Sequence, residues 1–260
     1  MAGYASNQFT KAIVRPPARN FEDGVTEAEL GKPDFETALR QHEAYCRALE
    51  NCGLELIQLP CDPDFPDSCF VEDTAIVVDD SAVVTRLGHP KRRGEETAVE
   101  MALLRFKTIK RIQEPGTVDG GDVMRVGEHF FIGLSQRTNE TGAAQLEEVL
   151  HGCGKTSSTL AVKDYIHLKT FISSIDQETI VGLINKIPHA IAEVTNHQVT
   201  VSEEEHWAAN CLSANGFVLV PNNRPQALAQ LEKLGKKVIS IETSEFQKMD
   251  GRLTCLSILF

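Results

Sequence analysis

The sequence VDGGDVMRVGEHFFIG, residues 118–133, reads as a tight turn followed by two short alternating strands, which is a β-hairpin signature. Three further segments have the same character: TAIVVDDSAVVTR at 74–86, HLKTFISSIDQETIVGL at 167–183 and NCLSANGFVLV at 210–220. The hairpin turns centre near residues 80, 128, 175 and 215, at intervals of 40 to 48 residues. Such intervals are typical of repeats that build propellers or solenoids.

Helices are predicted between the hairpins, because apolar residues recur there at three- and four-residue spacing. The predicted helices cover 95–106, 141–150 and 225–234, and short strands follow them. Gly152 and Gly235 stand just past two of the predicted helix ends, where glycine is common. The repeating unit therefore reads strand, strand, helix, strand.

A fifth unit appears only when the two ends of the chain are joined. The segments LTCLSILF at 253–260 and KAIVRPP at 11–17 would form its hairpin, 34–50 its helix, and LELIQLP at 54–60 its last strand. Pairing the termini would close a ring and remove open sheet edges. The spacing leaves two folds open, which are this ring and a two-layer α/β domain without rotational symmetry.

Composition and charge exclude several classes of protein. The net charge of −11 opposes binding to nucleic acid and favours a small cationic substrate. The longest apolar runs, such as AIVV at 75–78, are far shorter than the ~20 residues of a membrane span. The first residues, MAGYASNQFTKAIV, lack the features of a secretory signal. The seven cysteines are an odd number, which argues against a framework of disulfide bonds. We therefore expect a cytoplasmic protein with reduced thiols and no membrane association.

No motif indicates a metal or a cofactor. The chain has no CxxC pair and no closely spaced histidine pair to hold zinc. The segment GCGKT at 152–156 resembles part of a phosphate-binding loop, but Val149 stands where that motif requires glycine. We expect neither a metal nor a cofactor.

Residues capable of chemistry precede the first strand of each hairpin. They are FVED ending at Asp73, VDGGD at 118–122, Ile166–His167, Ala209–Asn210, and DGRLTC ending at Cys255. In a fold with rotational repeats these positions would converge at one end of a central channel. A cysteine, a histidine and several carboxylates would then share one site.

This combination suits a guanidinium group, which is planar and cationic and is held by carboxylates that accept its N–H groups. Asp73 and Asp119 are the first candidates for that role, with Glu72 and Asp122 as neighbours. Each residue also has an ordinary structural explanation in a turn or a core.

A cysteine and a histidine would complete the reaction. The Cys255 thiolate could attack the central carbon of the guanidinium, and the bound cation would favour the thiolate. His167 could protonate the departing amine and later deprotonate the hydrolytic water.

Several motifs, in order along nearly the whole chain, resemble the dimethylarginine dimethylaminohydrolase family. They are FPDSCFVED (65–73), TR (85–86), RRGE (92–95), TVDGGD (117–122), GLSQRTN (133–139), HLKT (167–170), AANC (208–211) and DGRLTCLS (250–257). The resemblance implies an α/β fold, a five-bladed propeller (pentein) of ββαβ units, as a single domain over residues 1–260. It also implies hydrolysis of asymmetric dimethylarginine and monomethylarginine to citrulline and an amine, through a covalent cysteine intermediate.

The resemblance assigns roles to particular residues. Cys255 would be the nucleophile, His167 the general acid and base, and Asp73 and Asp119 would hold the guanidinium. The remaining substrate contacts would come from Arg92 and Arg137 at the α-carboxylate, Asp67 near the α-amino group, Glu72, the backbone at Met249 and Asp250, and Val25 at the tip of a lid within 16–33.

The chain departs from the family pattern at two positions. Val25 stands where we expect leucine, and Arg252 stands where we expect glycine or a small apolar residue. Both departures bear on substrate fit. Two alternatives stay open, a hydrolase of unmethylated arginine or another guanidine, and a noncatalytic propeller that binds a protein. Apart from the small-molecule substrate, the expected partner is at most a second copy of the chain in a homodimer.

Overall fold

The computed structural model describes residues 8–260, which form fifteen strands and six α-helices. The strands are β1 (Lys11–Val14), β2 (Glu55–Gln58), β3 (Ala75–Val78), β4 (Ser81–Val84), β5 (Thr108–Arg111), β6 (Val123–Val126), β7 (His129–Leu134), β8 (Thr156–Ala161), β9 (Ile172–Ser174), β10 (Thr179–Leu183), β11 (His197–Val201), β12 (Leu212–Ala214), β13 (Phe217–Pro221), β14 (Lys237–Ile241) and β15 (Ile258–Leu259). The helices are α1 (Phe35–Asn51), α2 (Glu96–Leu103), α3 (Glu140–Gly152), α4 (His189–Ala192), α5 (Pro225–Lys233) and α6 (Ser244–Gln247).

The strands form five separate three-stranded sheets with one common pattern. The sheet orders are β3-β4-β5, β6-β7-β8, β9-β10-β11, β12-β13-β14 and β15-β1-β2. In each sheet the first two strands form an antiparallel pair, and the third strand, which follows a helix, runs parallel to the second. The predicted strand, strand, helix, strand unit is confirmed in all five blades.

The two ends of the described chain close the ring. Strands β1 and β15 pair antiparallel, with Ile13 opposite Ile258. The backbone N–H groups of Thr10 and Lys11 donate to the Phe260 carbonyl at 2.9 and 2.8 Å, and Phe260 N–H donates back to Lys11 at 3.0 Å. The fold is the predicted five-bladed α/β propeller, and the two-layer alternative is wrong.

The first strand of each blade lies innermost. Strand β15 contacts β3, and β9 contacts both β6 and β12. All five first strands, β3, β6, β9, β12 and β15, line one central cavity. Apolar clusters fill the space between these sheets and the outer helices. Among the helices of residues 8–260, none combines the length and the apolar character that a bilayer crossing needs.

Helix ends follow local sequence signals, with one correction. The Asn139 side chain accepts from Gly142 N–H at 2.7 Å and so caps α3. Gly152, expected just past the end of this helix, is its last residue, and Gly154 takes the left-handed conformation with a φ of 73°. Gly235 follows α5 as predicted, with a φ of 72°.

Short 3-10 helices, which the sequence pattern did not predict, precede the first strand of every blade. They span Val71–Thr74, Gly120–Asp122, Leu168–Thr170, Glu203–Ala209 and Thr254–Leu256. These five turns carry or adjoin the residues that were expected to converge, so they place the side chains of the candidate site.

Ile258 offers a test of ring closure. Its side chain is 5% exposed in β15, so Ile258→Ala should lower the free energy of unfolding by about 2 to 4 kcal/mol through lost apolar contacts. Urea denaturation measures this change. The matched control is Met101→Ala, because Met101 is 64% exposed and its truncation should have little effect. Equal stability of the two variants would contradict a structural role for the β1–β15 closure.

Candidate active site

Hydrogen bonds that involve side chains link the five turns into a closed ring. The links are Gly121 N–H to Asp73 Oδ1 at 2.9 Å, Leu168 N–H to Asp122 Oδ1 at 2.9 Å, Asn210 Nδ2 to the Lys169 carbonyl at 2.9 Å, Thr254 N–H to Asn210 Oδ1 at 3.0 Å, and Thr254 Oγ1 to Glu72 Oε2 at 2.8 Å. The predicted convergence of these positions is confirmed, and each junction between blades is fixed by a polar contact.

One pocket opens at this end of the propeller. It is lined by ten of the twelve residues that the sequence placed in or beside the site: Val25, Asp67, Glu72, Asp73, Arg92, Arg137, His167, Met249, Asp250 and Cys255. The exceptions are Asp119 and Asp122, whose side chains are fully buried outside the pocket.

Cys255 lies in the 3-10 helix that leads to β15 and is partly exposed to the pocket. Burial raises the pKa of its thiol to about 12, and the negative charges of Glu72 and Asp73 act in the same direction. In the free protein the sulfur is therefore a neutral thiol at physiological pH. A cation placed between the sulfur and the carboxylates would favour the thiolate.

Glu72 and Asp73 are consecutive residues that present two carboxylates to the pocket. Asp73 accepts from Arg92 Nη1 at 2.7 Å and from Gly121 N–H at 2.9 Å. Burial alone would raise the pKa of Asp73, but the positive charges of His167 and Arg92 hold it well below its usual range. Asp73 is therefore ionised at every pH at which the protein would work.

Glu72 forms the floor of the pocket. Its carboxylate pairs with the Lys169 ammonium and accepts from Thr254 Oγ1. Burial raises the pKa of Glu72, while Lys169 and the hydrogen bonds oppose that shift. Glu72 and Lys169 also border the central cavity, so this ion pair separates the pocket from the rest of the channel.

His167 is held by carboxylates on its inner side. Its Nε2 lies 3.0 Å from Asp119 Oδ2 and 3.9 Å from Asp73 Oδ1. Burial would lower the pKa of His167, but Asp73, the hydrogen bond with Asp119 and the charge of Asp122 outweigh it and raise the pKa to about 9. At neutral pH the ring is an imidazolium, the form that can donate a proton.

Asp119 lies elsewhere than expected. Its Oδ2 contacts the His167 ring, and its Oδ1 accepts from Gly88 N–H at 2.8 Å. The expectation that Asp119 faces a guanidinium beside Asp73 is therefore wrong in its geometry, because Glu72 supplies the second carboxylate of the pocket. Asp119 instead orients and charges the histidine.

Asp122, a further predicted neighbour of the guanidinium, is also fully buried outside the pocket. Its oxygens accept from Ser135 Oγ at 2.6 Å and Leu168 N–H at 2.9 Å. Burial raises its pKa to about 6. Asp122 therefore fixes the segment that carries His167.

The paired glycines of VDGGD let the turns that carry Asp73 and His167 pack closely against the glycine turn. A Cβ atom at Gly121 would lie 2.6 Å from His167 Nδ1 and 2.9 Å from Asp73 Oδ1. A Cβ at Gly120 would lie 2.0 Å from the Glu72 carbonyl oxygen. The glycines thus do more than form a turn, because they let the carboxylate and histidine segments meet.

The outer end of the pocket combines an acceptor with cationic donors. Burial raises the pKa of the Asp67 carboxylate, and the positive charges of Arg92 and Arg137 oppose this rise. The Arg92 guanidinium is already bonded to Asp73 at 2.7 Å and Glu95 at 2.9 Å. Arg137 differs, because its Nη1 is buried and has no hydrogen-bond partner among residues 8–260.

A segment of the predicted lid lies over the pocket. Val25 N–H donates to Asp67 Oδ2 at 2.9 Å. Asp250 Oδ2 accepts from Thr26 Oγ1 at 2.8 Å, Glu27 N–H at 2.7 Å and Ala28 N–H at 3.1 Å. Two pocket carboxylates therefore hold residues 25–28 against the pocket.

Sequence reasoning did not assign roles to several residues that complete the site. Lys169, Thr254, Gly121 and Glu95 were present only inside quoted motifs. Lys169 lies two residues after His167, and Thr254 immediately precedes Cys255, so their position in the motif was the available signal.

Three possible metal ligands lie close together in the described chain. Asp73, Asp119 and His167 bring one ligand atom each to within 4.8 Å of one another. Their charges are already balanced by the protonated ring and by Arg92. The cluster is accounted for as an ion-pair network.

Comparisons with known proteins agree with this geometry. A family model described as arginine deiminase matches residues 61–187. N(G),N(G)-dimethylarginine dimethylaminohydrolase of Pseudomonas aeruginosa is 39% identical over 254 residues, covering 97% of this chain and 100% of the relative. The protein of the same name from Streptomyces coelicolor is 33% identical over 250 residues, covering 95% of this chain and 96% of the relative.

Solved structures show the same fold. The Pseudomonas aeruginosa enzyme, as a cysteine-to-serine mutant complexed with citrulline, matches with a TM-score of 0.94 at 39% identity over 97% of this chain and 100% of that chain. The N-terminal domain of ArgZ, a cyanobacterial arginine dihydrolase, matches with a TM-score of 0.86 at 16% identity over 96% of this chain and 97% of that chain. The second likeness concerns the fold alone.

Together, fold and site define a pentein, the five-bladed α/β propeller class of guanidino-group-modifying proteins. Within that class, the extent of identity to the Pseudomonas and Streptomyces relatives is decisive. The chain belongs to the dimethylarginine dimethylaminohydrolase family of hydrolases.

The glycine contact gives a direct test of the site geometry. Gly121→Ala should lower kcat/KM by roughly a hundredfold, because the added methyl must displace His167 or Asp73. Steady-state kinetics measure the effect. In the matched control, Gly152→Ala, the methyl meets nothing within 4 Å and activity should be unchanged. Full activity of Gly121→Ala would show that the two turns are not as close as described.

The role of Asp119 can be tested by titration. Asp119→Asn removes a charge and an acceptor that raise the pKa of His167, so the imidazole should titrate below about 9. NMR of the labelled histidine ring reads this midpoint directly. Replacing an exposed carboxylate, Asp64→Asn, should leave it unchanged. An Asp119→Asn midpoint equal to that of the unmodified protein would refute the orienting role.

Proposed function

We propose that this protein hydrolyses asymmetric dimethylarginine and monomethylarginine to citrulline with release of dimethylamine or methylamine. The observation that carries the proposal is the content of one pocket. Cys255, His167 and the carboxylates of Glu72 and Asp73 occupy one part of the pocket, and Arg137 and Asp67 occupy the other. A zwitterionic amino acid with a cationic side chain has the complementary charges.

Substrate binding would use both ends of the pocket. The planar guanidinium would donate its N–H groups to Glu72 and Asp73. At the other end, Asp67 would accept from the α-ammonium group, and the unpaired Nη1 of Arg137 would donate to the α-carboxylate. Arg92 contributes less directly than expected, because it is bonded to Asp73 and Glu95.

The substrate would activate the nucleophile. Since the two carboxylates raise the pKa of Cys255, neutralising them with a guanidinium removes that contribution and adds a stabilising positive charge. Because His167 is already protonated, the thiol would lose its proton to solvent, and it would do so mainly in the complex, which limits side reactions of the free thiol.

The reaction would then proceed in two halves. The Cys255 sulfur adds to the guanidinium carbon, the C–N bond to the methylated nitrogen breaks, and protonated His167 gives its proton to the departing amine. The product is a covalent thiouronium. Water then gives one proton to the neutral imidazole and adds to the same carbon. The C–S bond breaks and the second water proton passes to the sulfur, which leaves citrulline, the neutral thiol and the imidazolium.

The choice of substrate would depend on the pocket wall. Val25 of the lid and Met249 line the pocket. The match of residues 61–187 to the arginine deiminase family favours unmethylated arginine as the second candidate substrate. Comparison of kcat/KM for arginine and for dimethylarginine separates the two, and preference for arginine would overturn our first choice.

The noncatalytic alternative is disfavoured, because a binding propeller does not require a cysteine, a protonated histidine and two carboxylates in one pocket. We also propose a cytoplasmic location, which the seven free thiols support, since such thiols persist in a reducing compartment. The homodimer and the absence of a metal, a cofactor and a nucleic-acid partner stay predictions.

Replacement of the nucleophile tests the proposed reaction. Cys255→Ser should abolish amine and citrulline release, because a serine hydroxyl ionises far less readily than a thiol and no nucleophilic anion would form in the complex. A substrate panel assayed for both products gives the result. Cys46→Ser is the matched control, because this thiol lies outside the pocket and its replacement should leave turnover intact. Turnover retained in Cys255→Ser would refute the assignment.

A further inference from the structure

Arg252 places an additional guanidinium in the pocket wall, at a position where the family pattern suggests a small residue. Its guanidinium carbon lies 4.2 Å from the centroid of the Trp207 ring. Its Nη1 also donates to the His206 carbonyl at 3.4 Å. Stacking on an aromatic face and a backbone contact together fix this side chain against the wall.

The same residue is linked to the nucleophile. Cys255 N–H donates to the Arg252 carbonyl at 3.1 Å, and both side chains line the pocket. Burial lowers the pKa of Arg252 to about 10, while negative charge on Cys255 opposes that shift. Arg252 therefore stays a cation at neutral pH. Because interactions between two charges are reciprocal, the Arg252 cation must also favour the Cys255 thiolate.

The charged side chains that act most strongly on the Cys255 thiol either oppose the thiolate or are already paired. Glu72 and Asp73 disfavour the thiolate, and Lys169, which favours it, is paired with Glu72. The remaining titratable groups that face the sulfur or share its pocket are the Tyr45 phenol, the Cys69 thiol, Asp67, Arg92, Arg137, His167 and Asp250.

Trp207 would keep Arg252 in a useful place. A free arginine side chain in this pocket would be attracted to Glu72 and Asp73, where the substrate guanidinium is proposed to bind. Stacking on Trp207 holds the cation on the wall and leaves that site open.

We propose that Arg252, held on the Trp207 ring, is a positioning residue that favours the thiolate form of Cys255. The inference rests on the proposed role of Cys255 as nucleophile. It assigns a function to two residues that lie outside the expected set of substrate contacts.

The test measures alkylation of Cys255 in the substrate-free protein by iodoacetamide, a neutral reagent, from about pH 7 to about pH 10. Peptide mass spectrometry follows Cys255 separately from the six other cysteines. This whole pH range lies below the Cys255 pKa of about 12, so the alkylation rate follows the small thiolate fraction. Arg252→Gln should therefore shift the rate profile by about one unit toward higher pH, which is a roughly tenfold lower rate at each pH. Arg252→Lys, which keeps the charge, should return the profile most of the way to that of the unmodified protein.

Two further variants separate charge from packing. Trp207→Leu should shift the profile in the same direction by a smaller amount, because the cation is no longer held. Lys233→Gln, which removes an exposed charge outside the pocket, should give the unmodified profile. Coincident profiles for Arg252→Gln and the unmodified protein would overturn the proposal, as would equal shifts in the glutamine and lysine variants.

Folding and function are controlled separately. Trp207 is the one tryptophan in the sequence, so its fluorescence reports on the stacked pair, and thermal unfolding shows whether each variant is folded. Alkylation does not require turnover of a methylarginine. Failure of the substrate assignment would therefore leave the alkylation profiles readable, and failure of the Arg252 proposal would leave the substrate assignment intact.

Discussion

The ring of hydrogen bonds between the five 3-10 turns is the constraint on which the rest of the structure depends. The polar groups at these inner turns lie beyond the strand ladders, so they need other partners. Side chains of Asp73, Asp122, Asn210, Thr254 and Glu72 supply them, one junction at a time. Glu72 and Asp73 belong to both the ring and the pocket, so closing the propeller also sets the geometry of the site.

Charge balance inside the ring explains the resting state of the site. Buried ions are costly unless they are paired and hydrogen-bonded. Asp73 is paired with Arg92, and Asp119 with a protonated His167. This arrangement keeps the His167 ring charged and the Cys255 thiol neutral. In the proposed reaction, a cationic substrate would complete the balance. The site is thus prepared for a guanidinium before one binds.

Much of the fold was predictable, because hairpins and amphipathic helices depend on local spacing. The 3-10 turns were not, since they consist of a few residues whose backbone groups are satisfied by distant side chains. The error at Asp119 has a similar origin. Glu72 and Asp119 each lie just before the first strand of a blade. The direction of each carboxylate depends on its partner from a third blade, which is Lys169 for Glu72 and His167 for Asp119.

The sequence by itself determined the ββαβ repeat, the need to join the chain ends, and the identity of the cysteine, histidine and carboxylates, because these follow from periodicity and from motif chemistry. The tertiary structure alone decided which of those residues face the pocket and which hold other side chains in place. It placed Asp119 behind His167, bonded Arg92 to Asp73, and stacked Arg252 on Trp207. Such choices depend on contacts between segments far apart in the chain, which local sequence does not encode.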